Sequence, residues 1–430
     1  MTGTRLDPWV DSYAARTQGM TASEIRALFA VASRPEVVSL AGGMPFVQAL
    51  PMEQIAATVS RLLTERGATA LQYGSGQGDV VLREQILQVM ADVKVNAHPD
   101  DIVVTTGSQM ALDLVTRVFC DPGDVVLVEA PSYVGALGVF RAYQADVVHV
   151  AMDDQGLNPV ALAEAIAAVR SSGRTPKMIY TIPSFHNPAG VTQGPERRTE
   201  ILTIAQREGI LLLEDDPYGL LGFDGQPPRA IRADDDQGVI YLGSFSKTIA
   251  SGLRVGWAVA PHGVREKLVL AAESAVLCPS NFAQMTVSDY LATQPWREQI
   301  KVFRELYRDR RDALLGAMDQ LMPAGTTWTV PAGGFYSWIT LPQGLDSKAM
   351  LPRAIAALVA YVPGTGFFVD GQGRQQLRLS YCYPDTDRIR EGVRRLAAVI
   401  ESELDLAHTF GTTHALADSI GQVNPAPDIA

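Results

Sequence analysis

The chain has 430 residues, 47% hydrophobic and 19% charged, the balance of a globular protein large enough for one big domain and a smaller one. A net charge of −11 without any lysine/arginine block argues against nucleic acid or an anionic membrane as the main partner. Cys120, Cys278 and Cys382 lack metal-ligand spacing, no N-terminal run has the apolar centre of a secretory leader, and no apolar run approaches the roughly 20 residues that span a bilayer, so a cytoplasmic protein with reduced thiols is expected.

In chain order, a polar arm comes first, then a helix pattern over residues 21–32 and the loop SLAGGMP. From residue 101 short apolar runs alternate with helical stretches. The runs fall at 102–105, 125–129, 178–182, 210–214, 239–242 and 255–260, with helical segments at 109–119, 159–170 and 195–208 between several of them. Fully apolar strands separated by helices predict an α/β fold, a mostly parallel sheet with helices on both faces. After residue 310 come a helix, the run TWTVPAGGFYSWITLP, another helix, QQLRLSYC and a last helix. That order predicts a smaller α+β domain assembled from both chain ends. The expected division is an arm with part of the small domain at 1–60, a large domain at 61–310, the C-terminal small domain at 311–407, and a flexible tail at 408–430.

In an open parallel sheet, ligands bind beyond the carboxyl ends of the strands, and unusual residues cluster at those ends here. TGSQM follows the run at 102–105. Ser108 and Gln109 open a helix whose free N–H groups suit a phosphate, although Ser108 equally suits a plain N-cap. APSY brings Tyr133 to the same edge, as a cover for a flat ring or as simple packing. PSFHNPAG places Asn187 in a turn before proline. EDDPYG sets Asp215 and Asp216 side by side at a strand end, with Tyr218 two residues on; one carboxylate could answer a protonated ring nitrogen. GSFSKTIASGLRVGW holds Ser244, Ser246, Lys247 and Arg254. A lysine partly desolvated at a sheet edge near cations loses its proton readily and can form an imine, while a serine-rich turn with a surface lysine would look the same.

Assembled in order, these segments resemble the fold-type-I, class I/II aminotransferases that use pyridoxal 5'-phosphate (PLP), and among them the α-aminoadipate/kynurenine aminotransferase group. The most specific part is SFSK with Arg254 seven residues after the lysine, joined to NPAG, EDDPY and LRLSYC. The resemblance implies that Lys247 carries PLP as a Schiff base and shuttles the proton during transamination through a pyridoxamine-phosphate stage. It implies that Asp215 pairs with the ring N–H, Asn187 and Tyr218 with the ring's phenolic oxygen, and that Tyr133 stacks on the ring. Ser108, Gln109, Ser244, Ser246 and Arg254 would bind the phosphate. Arg378, in LRLSYC, would grip the substrate α-carboxylate with backbone help from Gly43; Asn187 also faces substrate. Tyr73, in LQYGSGQG, would reach the phosphate of a neighbouring subunit, making a homodimer with shared sites. Arg26 would meet a substrate's distal group, or is simply an exposed helix residue. The expected substrates are an L-amino acid and a 2-oxo acid. Two alternatives share most of these residues: another PLP reaction on amino acids, such as a β-lyase or decarboxylase, and a non-catalytic ligand-sensing module of the kind fused behind a helix-turn-helix domain. Only about 40 residues precede SLAGGMP, too few for such a domain.

Overall fold

The computed structural model describes residues 9–19 and 34–420. Its strands are β1 (Val38–Ser39), β2 (Ile102–Thr105), β3 (Val125–Ala130), β4 (Asp146–Asp153), β5 (Gly156–Leu157), β6 (Pro176–Thr181), β7 (Leu211–Asp215), β8 (Val239–Ser244), β9 (Gly256–Val259), β10 (Thr327–Trp328), β11 (Tyr336–Thr340), β12 (Val359–Ala360), β13 (Val362–Pro363) and β14 (Gln376–Ser380). Eight form one sheet in the order β2-β9-β8-β7-β6-β3-β4-β5. The pairs β4–β3, β3–β6, β6–β7 and β7–β8 are parallel, whereas β9 runs antiparallel to both of its neighbours.

The apolar runs are explained by burial on both faces. Val126 and Val128 pack with the helices Ser108–Phe119 and Val134–Ala142, while the alternate residues Val125 and Leu127 pack with Pro159–Ser171 and Pro195–Glu208. Asn158 starts the third of these helices by accepting from the Val160 and Ala161 amides, with Pro159 in the first turn, where no intrahelical N–H bond is needed.

β10, β11, β14 and β13 make a second, antiparallel sheet. β1 pairs in parallel with β12, so the segment leading into SLAGGMP is tied to the C-terminal part of the chain. Ser380 N–H donating to Leu40 O, at 2.7 Å, adds a second tie.

Two features differ from the sequence expectation. β4 was not anticipated, because DVVHVAMD is flanked by aspartates and lies half exposed towards the sheet edge rather than reading as a buried apolar run. The last helix, Thr386–Ile420, continues through residues 408–420, which were expected to be a tail. The Thr and Gly content there lowers intrinsic helix preference, but a helix already nucleated extends at the cost of one residue per added hydrogen bond. The helix pattern at residues 21–32 and Arg26 lie outside the described residues.

Candidate active site

The carboxyl ends of β2, β3, β6, β7 and β8 come to one edge of the large sheet. β9 is reversed, so its entry lies at that same edge and delivers Arg254, two residues before it. A cavity of about 410 Å³ opens there. Its walls include Gly43, Ser108, Gln109, Tyr133, Asn187, Asp215, Tyr218, Ser244, Ser246, Lys247, Arg254 and Arg378, drawn from positions up to 335 residues apart. Tyr73 is not among the lining residues and is 76% exposed.

Lys247 sits in a single wide helical turn, Ser246–Ala250, directly after β8. Its Nζ donates to the Gly43 carbonyl at 3.1 Å and lies 5.6 Å from the Phe335 ring centroid. Burial, reinforced by the nearby positive charges of Arg254 and Arg378, lowers its pKa to about 8. A substantial neutral fraction, and hence nucleophilic character, is therefore available near neutral pH.

Asp215 and Asp216 diverge. Asp215 ends β7 on the cavity wall. Its Oδ2 accepts from the Tyr180 hydroxyl at 2.8 Å, while Oδ1 is buried without a partner among the described residues. Burial, together with the charge of Asp216, pushes its carboxyl up to about 7. Asp216 accepts from the Tyr241 hydroxyl at 3.1 Å and lines a separate crevice of about 20 Å³ instead. The uncompensated oxygen of Asp215 is an acceptor awaiting a donor from the cavity, and a cationic N–H is the strongest such donor.

An anion cradle lies at the other end. Gly107, with φ +76°, precedes the helix Ser108–Phe119, and a Cβ there would lie 2.4 Å from Arg254 Nη2. Arg254 donates to Ser246 Oγ at 3.3 Å and to Thr106 O at 3.4 Å, and Ser244 Oγ donates to Ser246 Oγ at 2.9 Å. Helix first-turn amides, two serine hydroxyls and a guanidinium converge here, a donor set suited to phosphate. The Gln109 side chain is already engaged: its amide donates to Gly135 O and its oxygen accepts from the Tyr133 hydroxyl, both at 3.1 Å. Gln109 therefore positions Tyr133 through its side chain, and only its backbone is free for an anion.

Arg378 is almost fully buried. It donates to Asn187 Oδ1 at 2.8 Å and to Ala41 O at 2.7 Å, leaving Nε buried without a partner among the described residues. Because a cation must face the oxygen of Asn187, the NH₂ edge of that amide is left for the cavity. Tyr336, which sequence reasoning passed over, lines the cavity beneath Arg378, its ring centroid 4.1 Å from Cζ. Met44 and Tyr180 were also passed over. Nothing local marks them, since an aromatic in GGFYSW reads as ordinary strand packing.

Residues 36–396 match the family profile of aminotransferase class I and II. The chain belongs to this family. The aminotransferase is 42% identical to aromatic-amino-acid aminotransferase 1 of Thermococcus litoralis over 91% of its own length and 94% of the relative's. It is 37% identical to 2-aminoadipate transaminase of Thermus thermophilus, covering 93% and 98% of the two chains. The crystal structure of Pyrococcus horikoshii kynurenine aminotransferase, in complex with PMP, superposes with a TM-score of 0.87 at 40% identity, covering 91% and 97%. The fold is PLP fold type I, and the cofactor is PLP. The cavity fits it: an orphaned buried carboxylate oxygen at one end, a phosphate-type donor set at the other, and a lysine of lowered pKa between them.

Proposed function

We propose that this chain transaminates L-amino acids against 2-oxo acids at the cavity around Lys247, with each residue in the role that its geometry suits. The observation that carries the reading is Asp215 on the cavity wall, with a buried carboxylate oxygen, Oδ1, that has no partner among the described residues. Bound PLP supplies an electron sink for the substrate's amino group and α-carbon. Asp215 accepts the ring N–H and keeps the nitrogen protonated. The NH₂ edge of Asn187 and the Tyr218 hydroxyl donate to the ring's phenolic oxygen, Tyr133 covers the ring, and Ser108, the Gln109 backbone, Ser244, Ser246 and Arg254 hold the phosphate. Lys247 Nζ holds the cofactor covalently at rest and moves the proton from substrate Cα during turnover. Arg378 presents its unpartnered Nε to the α-carboxylate beside Gly43, which favours reactions that retain that carboxylate over decarboxylation.

The rest of the wall includes Met44, Val134, Ile182 and Tyr336, an apolar surface suited to bulky side chains. The aromatic and kynurenine activities in the relatives' names support this class of donor. Arg26 enters only as a variant to compare on donors with a distal carboxylate.

The homodimer is part of the proposal. Leu71 and Tyr73 are exposed, and Gly74 and Gly76 bring their segment against Asn281 and Glu273, next to exposed Leu277. Such an apolar surface around Tyr73 suits a second copy whose phosphate site that tyrosine completes. A cytoplasmic setting is supported by three unpaired cysteines.

The test is borohydride reduction of the yellow protein, followed by peptide mapping and a panel of amino donors. The pyridoxyl group is expected on Lys247, and amino donor alone should convert the bound cofactor to its amine form. Label on another lysine, or donor consumed without that conversion, would overturn the reading.

A further inference from the structure

Beyond its place on the apolar wall, Tyr336 touches three of the residues assigned above. It opens β11, paired with Ser380 of β14, two positions beyond Arg378. Its ring lies under the Arg378 guanidinium, with 4.1 Å between Cζ and the ring centroid. At the far end its hydroxyl presses on Gly43, where a Cβ would stand 1.8 Å from the phenol oxygen. The carbonyl of that glycine accepts from Lys247. On its edge it meets Tyr218, with ring centroids 6.1 Å apart at 89°, and the two hydroxyls lie within reach of each other.

The ring alone would be explained by packing and by the attraction of a guanidinium to an aromatic face. The hydroxyl is not. Tyr336 is only 3% exposed, phenylalanine would fill the same space, and a buried hydroxyl destabilises unless it finds partners. Its surroundings supply one, the Tyr218 hydroxyl, while the Gly43 backbone packs directly against it. Once Tyr218 turns its own proton toward the cavity, its oxygen is left to accept from the Tyr336 hydroxyl, and that donation polarises the O–H of Tyr218 and strengthens what it can donate.

We propose that Tyr336 is a positioning residue that joins the substrate-carboxylate arginine to the cofactor-ring tyrosine, its aromatic face holding Arg378 and its hydroxyl setting Tyr218 and the Gly43 loop. This rests on the roles of Arg378 and Tyr218 proposed above. The two halves separate by substitution, since Tyr336→Phe keeps the face and loses the hydroxyl, whereas Tyr336→Leu loses both.

The readout of the hydroxyl is the pH titration of the cofactor absorbance in the resting holoenzyme. The ring oxygen carries the most negative charge once the chromophore has lost its proton. Weaker donation by Tyr218 disfavours that form and moves the midpoint up. In Tyr336→Phe the midpoint should rise by about half to one pH unit, the scale of one hydrogen bond, while KM for amino donors stays within about twofold. In Tyr336→Leu, KM for every donor should rise by about 2–30-fold, the range for a desolvated guanidinium–ring contact. A midpoint unmoved in Tyr336→Phe overturns the proposal, as does a KM rise in Tyr336→Phe equal to that in Tyr336→Leu. Failure of the underlying assignment would show differently, as borohydride still fixing the cofactor covalently in Lys247→Ala.

Discussion

Asp215 and Asp216 are adjacent, buried and each bonded to a tyrosine hydroxyl, yet only Asp215 leaves an oxygen on the cavity wall. Strand periodicity puts neighbours on opposite sides, so one substitution should silence chemistry and the other should not. Asp215→Asn removes the anion that keeps the ring nitrogen protonated, and kcat should fall by about 10²-fold or more, the scale of losing a preorganised electrostatic partner. Asp216→Asn should cost far less turnover. Single-turnover measurements on both variants decide it; the reverse order would mean that Asp216 faces the cofactor. The sequence placed both carboxylates at a strand end, and the family spacing favoured Asp215, but only the packing of Tyr180 and Tyr241 shows where each one points.

At the scale of elements, the phosphate-type cradle depends on two backbones meeting. β9 runs against its neighbours, so Arg254, itself left-handed at φ +54°, enters the edge where β2 leaves. Gly107 is where the two touch. Alanine there would need a φ of +76° and would drive its Cβ into the Arg254 guanidinium. Gly107→Ala should therefore weaken PLP retention by at least about tenfold, roughly the worth of one hydrogen bond to a charged group. The far-ultraviolet spectrum should be unchanged, with cofactor loss followed by dialysis. Retention equal to wild type would show that Arg254 does not hold the phosphate. Here the sequence was legible only in part. TGSQM and SGLRVGW each read as a turn, but their contact depends on strand order and direction, which no local pattern encodes. β4 was missed for a related reason: its half-exposed face breaks the apolar run that marked the other strands.

At the scale of the whole molecule, the proposed homodimer makes each site from two chains. Tyr73 stands outside the cavity on an exposed segment. If it completes a neighbour's phosphate site, monomers should hold PLP poorly. Hybrids of a Tyr73→Phe subunit with a Lys247→Ala subunit would then carry both lesions in one site and neither in the other. Such hybrids should recover about half of wild-type activity, since one of two independent sites is intact. Verified hybrids without recovery would show that Tyr73 serves the site of its own chain.

The sequence by itself determined the succession of strands and helices and the residues able to carry imine, phosphate and carboxylate chemistry. Apolar runs, turn residues and the spacing of SFSK, EDDPY and LRLSYC are properties of short segments. Tertiary structure alone decided four things: the reversal of β9, the orphaned oxygen of Asp215, the use of Gln109 to hold Tyr133, and the placement of Tyr336 under Arg378. Each concerns the direction of a buried group, and that direction is set by whatever packs opposite it, in these cases from dozens to hundreds of residues away in the chain or across a strand pair.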